Sequence, residues 1–239
     1  GKGAFQKAAL VAMANYADDL SRLLDFMESS NVMALAQRVF LKAMIGYFHR
    51  RYGNLLNNNG SFMEVLGNSA YDQYLRHRFS CQTFWSLYPF LPLISAKGGM
   101  VLEICCGAGH ASSVLSRSIP AQKLIGIDGN FRNLYLAAKY LSSADFIQAD
   151  VNEGLPFKDQ QFSVAFMMDS FHYVDAQALL AKELVRVTKT DGFNLLLHLH
   201  NALKGNMWAG RPLSPDAIHR IFSGDDIRLI PKQDLINNF

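Results

Sequence analysis

Residues 101–112 read VLEICCGAGHAS, from Val101 to Ser112. A short apolar run leads directly into Gly107-Ala108-Gly109, and helix-compatible sequence starts at once afterwards. Apolar runs of four to eight residues bounded by glycine read as buried strands. The predicted unit is therefore a strand, a glycine turn and a helix. Glycines at such a turn let the backbone bend tightly and let a ligand approach where a Cβ would collide. The following helix offers unpaired N–H groups aimed at that ligand. By itself this pattern specifies only a nucleotide-like ligand.

Working outward, the same rhythm repeats. Met100–Cys105, Lys123–Asp128, Asp145–Asp150, Phe162–Asp169 and Phe193–His200 each read as buried strands. Ala111–Ser118, Phe131–Leu141 and Ala176–Thr188 between them have helical period. Alternation of this kind predicts an α/β fold, a Rossmann-like, doubly wound and mostly parallel sheet covered by helices. Ser214-Pro215-Asp216 opens one more helix, with Ser as cap and Pro in the first turn. Ile227–Pro231 reads as one further strand.

Upstream the pattern differs. Phe5, Ala9, Ala12, Tyr16, Leu20, Leu23 and Met27 form one helical stripe, and Val32, Leu35, Val39, Ala43 and Tyr47 another. Asn57-Asn58-Asn59-Gly60 is a loop signal. A third helical segment is expected over about 62–87, and the uncharged stretch Phe79–Ala96 reads as buried and aromatic rather than membrane-spanning. Two domains follow: residues 1–97 as a helical lid or cap, and 98–239 as the ligand-binding domain.

Composition removes several classes. Half the residues are hydrophobic and 18% are charged, as in a folded globular chain. A net charge of +3 is too small and too dispersed for a nucleic-acid partner. The basic spots His49-Arg50-Arg51 and Arg76-His77-Arg78 read as solvated helix faces. No polybasic run suggests a membrane surface. Cys81, Cys105 and Cys106 give neither a disulfide framework nor metal-ligand spacing, so no metal is expected. Reduced thiols fit a cytoplasmic protein. No signal-peptide pattern opens the chain, which begins with Gly1 rather than Met.

Acidic residues punctuate the ends of the expected strands. Asp128 closes the second, in LIGIDGN, at the interval expected of a carboxylate that receives ribose hydroxyls. Asp150 closes the third, in FIQADV. With Glu103 and Asp169 they fall on one rim of an open sheet, where ligands bind beyond the carboxyl ends of the strands.

The span from Val101 to about Asn201 resembles the class I S-adenosylmethionine-dependent methyltransferases, and among them the ubiquinone- and menaquinone-methyltransferase-like group. VLEICCGAG, LIGIDGN, FIQADVNEGLPFKDQQFSVAFMMDSFHYV and ELVRVTKTDG carry the resemblance. It implies S-adenosylmethionine as cofactor and a small-molecule methyl acceptor. Glu103 would organise the glycine loop and the methionine amino group, with Cys105, Gly107 and Gly109 forming that loop. Asp128, followed by Gly129, would bind the ribose, and Asp150 with the Val151 backbone the adenine. Asp169 and Ser170 would line the methionine end.

Two features depart from the family. Cys105 stands where glycine is usual, and only one strand is evident after the last helix where two are normal. The chain is thus expected to be a piece of a longer protein or to lack the last strand. For acceptors that must lose a proton, His172 in DSFHYV and His200 at the end of the fifth strand are the candidate bases. His198 lies two residues before His200, on the same face. Tyr173 and Trp208 are candidate contacts to the acceptor, while Met167 and Met168 read as core. The alternative is a catalytically silent cofactor-binding domain with a regulatory or partner-binding role. A nicotinamide-dependent oxidoreductase fits less well, since Ser112 stands at the third-glycine position and Glu103 is foreign to that site.

Overall fold

The structure, a computed structural model, describes residues 60–204, 209–222, 226–231 and 234. The two helical stripes between Phe5 and Tyr47, the 49–51 basic spot and Trp208 lie outside the described residues.

The five expected strands form as β1 (Val101–Ile104), β2 (Leu124–Asp128), β3 (Asp145–Gln148), β4 (Phe162–Met168) and β5 (Thr188–Leu197). They pair in parallel in the order β3-β2-β1-β4-β5. The chain therefore winds outward from β1 through β2 to β3, then returns to start β4 on the other side of β1. That reversal opens a crevice above the carboxyl ends of β1 and β4.

Side-chain alternation explains the layers. Val101, Val164, Phe166 and Met168 pack into one core with Leu115 and Ile119, which lie on or just after α5 (His110–Ser118). Leu102, Ile104, Ala165 and Met167 face the opposite core with Leu180, Leu184 and Val187 of α7 (Gln177–Val187). All seven residues of β4 are buried, as a central parallel strand covered on both faces requires.

Several boundaries differ from the sequence expectation. The segment over 62–87 is not one helix. It splits into α1 (Phe62–Val65), α2 (Ala70–Arg78) and α3 (Gln82–Trp85), followed by α4 (Leu91–Lys97). Ser69 caps α2 by accepting from the Asp72 N–H, and the Ser80 hydroxyl binds the His77 carbonyl where α2 ends. The 79–96 stretch is only partly buried: Phe84, Leu87 and Ile94 are core, whereas Trp85 is 53% exposed. The helix expected as Phe131–Leu141 is α6 (Phe131–Leu136) continued by a π turn over Ala137–Leu141.

β5 begins at Thr188 instead of Phe193. Thr188 already pairs with Phe162, and an irregularity separates that pair from Val164–Phe193. β3 and β4 end before Asp150 and Asp169, which occupy the loops beyond. Ile227–Pro231 forms no strand; residues 226–231 are irregular. Ser214 does cap α8 (Pro215–Ile221) by accepting from the Ala217 N–H. No helix among the described residues is long and apolar enough to cross a membrane.

Candidate functional site

The turn after β1 is a left-handed arch. Cys105, Gly107 and Gly109 have φ of 54°, 54° and 79°. At Gly109 a Cβ would stand 2.6 Å from the Ala137 Cβ, so glycine is needed both for conformation and for the approach of the α6 extension. Around Gly107 the reverse holds: nothing lies within 4 Å of where a Cβ would stand, leaving open space over the arch. The Cys106 N–H donates to the Ile127 carbonyl at 2.9 Å, tying the arch to β2. Cys105 and Cys106 thus follow the strand instead of lying inside it. All three cysteines are free thiols, and burial pushes that of Cys105 up to about 12.

Asp128 locks the arch to the end of β2. Its Oδ2 accepts from the Gly107 N–H at 2.9 Å and its Oδ1 from the Asn130 N–H at 2.8 Å. Burial raises its pKa, while the bonds from Asn130 and Gly107 work the other way. With the Asn133 side-chain bond added to these two, the carboxylate still keeps acceptor capacity. Glu103 sits on the α5 side of β1, 3% exposed, and accepts from the Ser112 hydroxyl in the first turn of α5. Burial lifts Glu103 to about 8, partly offset by the Ser112 bond. Past β3, Asp150 Oδ1 accepts from both the Asn152 N–H and its side-chain amide at 2.9 Å, and Val151 is buried beside it.

A second cluster lies past β4 and β5. Asp169, at φ 58°, donates its backbone N–H to Leu197 at 2.9 Å. Its Oδ1 is 2.8 Å from His198 Nδ1 and 3.2 Å from His200 Nε2. Its Oδ2 is 3.0 Å from the Arg78 guanidinium. Burial favours a raised Asp169 pKa, but His198 and Arg78 outweigh it and hold the carboxyl below its usual range. One carboxylate oxygen and two imidazole nitrogens lie within 4.8 Å of one another, a donor set able to hold a metal ion. The His172 ring stacks on His200 at 3.7 Å and 11°. It is buried, with no hydrogen-bond partner for either nitrogen, and burial lowers its pKa to about 4. Ser170 lies beside the Cys105 thiol. Tyr173 is exposed and sits against His172 at 4.1 Å.

Helix α2 runs across this rim. Tyr71 donates to Asn133 Oδ1 at 2.9 Å, Asp72 pairs with Arg132, and the Leu75 carbonyl meets His110 Nε2 at 2.9 Å. Arg78 at its end reaches Asp169. Arg78 is thus not a solvated helix-face residue: it is 8% exposed and bonded across 91 residues of sequence. Arg76 does face outward, with its guanidinium on the Gly67 and Leu66 carbonyls. Sequence spacing carries no signal for Arg78, because neighbouring Arg76 and His77 disguise it as part of a basic run. Asn133, held between Tyr71 and Asp128, was equally silent.

The structure therefore gathers the expected residues into two groups. Glu103, Cys105, Gly107, Gly109, Asp128 and Gly129 lie around the β1 and β2 ends, with Asp150 and Val151 beyond β3. Asp169, Ser170, His172 and His200 lie around the β4 and β5 ends, joined there by His198 and Arg78.

Residues 101–192 match the family described as "Methyltransferase domain". The phthiotriol/phenolphthiotriol dimycocerosates methyltransferase 1 of Mycobacterium ulcerans is 30% identical over 126 residues, covering 50% of this chain and 46% of that protein. A demethylmenaquinone methyltransferase of Lactobacillus johnsonii is 30% identical over 117 residues, covering 46% of this chain and 48% of that one. The chain spans about half the length of these relatives. Among solved structures, a SAM-dependent methyltransferase from Aquifex aeolicus has the same fold, with a TM-score of 0.50 at 18% identity, covering 66% of this chain and 89% of that one. Sequence match and sheet order agree on a methyltransferase-type domain over residues 101–192, built on a Rossmann-like parallel sheet.

Proposed function

We propose that this chain binds S-adenosylmethionine over the carboxyl ends of β1 to β4 and transfers its methyl group to a small-molecule acceptor. The observation that carries this reading is the bridge from the Gly107 N–H to Asp128, which holds an open glycine arch beside a carboxylate with free acceptor capacity. Residues and ligand fit: Gly107 leaves room where the cofactor backbone would pass, and Asp128 is placed to receive ribose hydroxyls.

When bound, the cofactor supplies a methyl group already activated by its sulfonium. The chain's own task is to bind, align and exclude water. Asp128 and Gly129 hold the ribose side, while Asp150 and the Val151 backbone flank the adenine. Glu103 acts through Ser112 and the arch, setting the loop formed by Cys105, Gly107 and Gly109. Asp169 and Ser170 bound the methionine end. Helix α2 serves as part of the cap, with Tyr71 and Arg78 as its anchors. Of the two candidate bases, His200 is the better placed because Asp169 holds its ring. The burial of His172, without a partner for either nitrogen, favours a packing role against His200. The two relatives named above bear different acceptors in their names, so neither acceptor is carried over to this chain.

Incubation with methyl-labelled S-adenosylmethionine and a panel of hydroxyl, amine and quinol acceptors tests the proposal. Label should move to at least one acceptor and fail to move with Asp128→Ala. Cofactor binding without transfer to any acceptor would favour the silent, partner-binding reading.

A further inference from the structure

We propose that Asp169, His198 and His200 form a binding site for a divalent transition-metal ion such as Zn2+ or Co2+. Neither cysteine spacing nor local sequence pattern announces it, because the ligands come from two strand ends and meet only in the folded sheet.

Geometry is the first argument. Asp169 Oδ1 lies 2.8 Å from His198 Nδ1 and 3.2 Å from His200 Nε2. A cation bonded to all three atoms at about 2.1 Å would subtend Oδ1–metal–N angles of about 85° and 100°. Both are angles found between neighbouring ligands of a coordination polyhedron, and the three donor atoms all lie within 4.8 Å of one another. Two imidazoles with one carboxylate suit Zn2+, Co2+ and their neighbours better than Mg2+ or Ca2+, which favour all-oxygen sets.

The backbone supplies an independent argument. Asp169 and His198 both adopt φ near 57° although neither is glycine, and they sit just past two paired strands. Left-handed conformations are uncommon outside glycine, though Asp and His adopt them more readily than most residues, and such positions gather at ligand clamps. Here they turn both side chains toward the same point.

Outer contacts fix the ligands. Arg78 occupies Oδ2 of Asp169 at 3.0 Å, which leaves Oδ1 toward the histidines. His172 stacks on His200 at 3.7 Å and fixes the plane of its ring. A simple hydrogen-bond cluster is the competing account: two imidazole N–H groups would share one carboxylate oxygen. The two accounts diverge on exposure to metal: a coordination site takes up one ion saturably through its imidazole nitrogens, whereas a hydrogen-bond cluster does not. The use of such an ion in methyl transfer, holding an acceptor oxygen at an open position with His200 as ligand instead of base, rests on the function proposed above. The existence of the site does not.

The test is calorimetric titration of ZnCl2 into untagged, chelator-stripped protein, with Co2+ visible absorption as a second readout of histidine ligation. One saturable site is expected, and it should weaken at least ~10-fold in His198→Ala and in His200→Gln. Melting curves with and without metal report whether each variant folds; His200→Gln keeps the assay informative if the residue at the strained position 198 does not tolerate change. No binding by the wild type, or equal binding by folded His198→Ala and His200→Gln, overturns the proposal. Titration of S-adenosylhomocysteine into the same samples separates this outcome from a failure of the methyltransferase reading.

Discussion

The two ends of the crevice are built differently. Around β1 and β2 the candidate site is mostly backbone: an arch of positive φ residues tied to Asp128 through the Gly107 N–H and stiffened from below by buried Glu103. Around β4 and β5 it is side chains: Asp169, His198, His200 and the stacked His172, with Arg78 arriving from α2. A backbone cradle needs particular residues at fixed spacing in one short segment. A side-chain cluster needs only that several distant segments end at the same place. The first half therefore suits a constant ligand, and the second is free to vary with the acceptor.

The largest expected effect is on the first half. Asp128→Ala removes the acceptor for Gly107 and, under the proposed function, for the ribose, and S-adenosylhomocysteine affinity should fall ~100-fold, from about 3 kcal/mol of lost charge-assisted bonding. Calorimetry measures it, and Asp128→Asn separates charge from hydrogen bonding. A loss below 10-fold would mean that the arch, not the carboxylate, dominates.

On the second half, Arg78→Leu leaves the Asp169 carboxylate without its guanidinium while both side chains are largely buried. Stability should drop by about 2–3 kcal/mol, read in denaturant melts. An unchanged melt would return Arg78 to the solvated surface and detach α2 from the site.

Glu103 makes the first half sensitive to alkali. Its folded pKa of about 8 lies above the ordinary value of 4.5, so the folded state holds a proton that the unfolded chain releases. Its stabilising contribution is full below about pH 4.5 and is lost as pH rises through about 8. Buried His110 and His172, both lowered to about 4, act oppositely, but only below the ordinary histidine value of 6.5. Between pH 6.5 and 8 the slope belongs to Glu103 and amounts to at most ~1.4 kcal/mol per pH unit. Melting temperature should fall over that window in the wild type and stay level in Glu103→Gln. A slope that survives in the variant would assign it elsewhere.

The smallest effect is expected at Cys105. Its φ of 54° is one glycine adopts freely, so Cys105→Gly relieves conformational cost while removing a small half-buried thiol. The two nearly cancel, to within about 0.5 kcal/mol, and cofactor affinity should change less than ~3-fold. A large gain in affinity would mark the cysteine as the residue that obstructs the arch.

What the sequence disclosed follows the same division. Strand positions, the glycine arch and Asp128 were legible because each is encoded within a few residues. β5 started five residues earlier than its apolar run suggests, since Thr188 pairs with Phe162 across a stretch rich in charge. The 62–87 segment broke into three helices, because Ser69 and Ser80 draw backbone groups into turns. Arg78 could not be found at all: its role depends on Asp169, 91 positions away. Of the β4–β5 cluster, the sequence singled out Asp169 and the histidines one by one, and only strand pairing shows that they touch.

The most direct test of the proposed cofactor crevice is amide exchange on the folded protein with and without saturating S-adenosylhomocysteine. Added protection should concentrate in residues 103–110, 128–130, 149–152 and 168–170, with the Gly107 amide among the slowest. Binding with protection elsewhere, or no change in the 103–110 arch, would contradict the account.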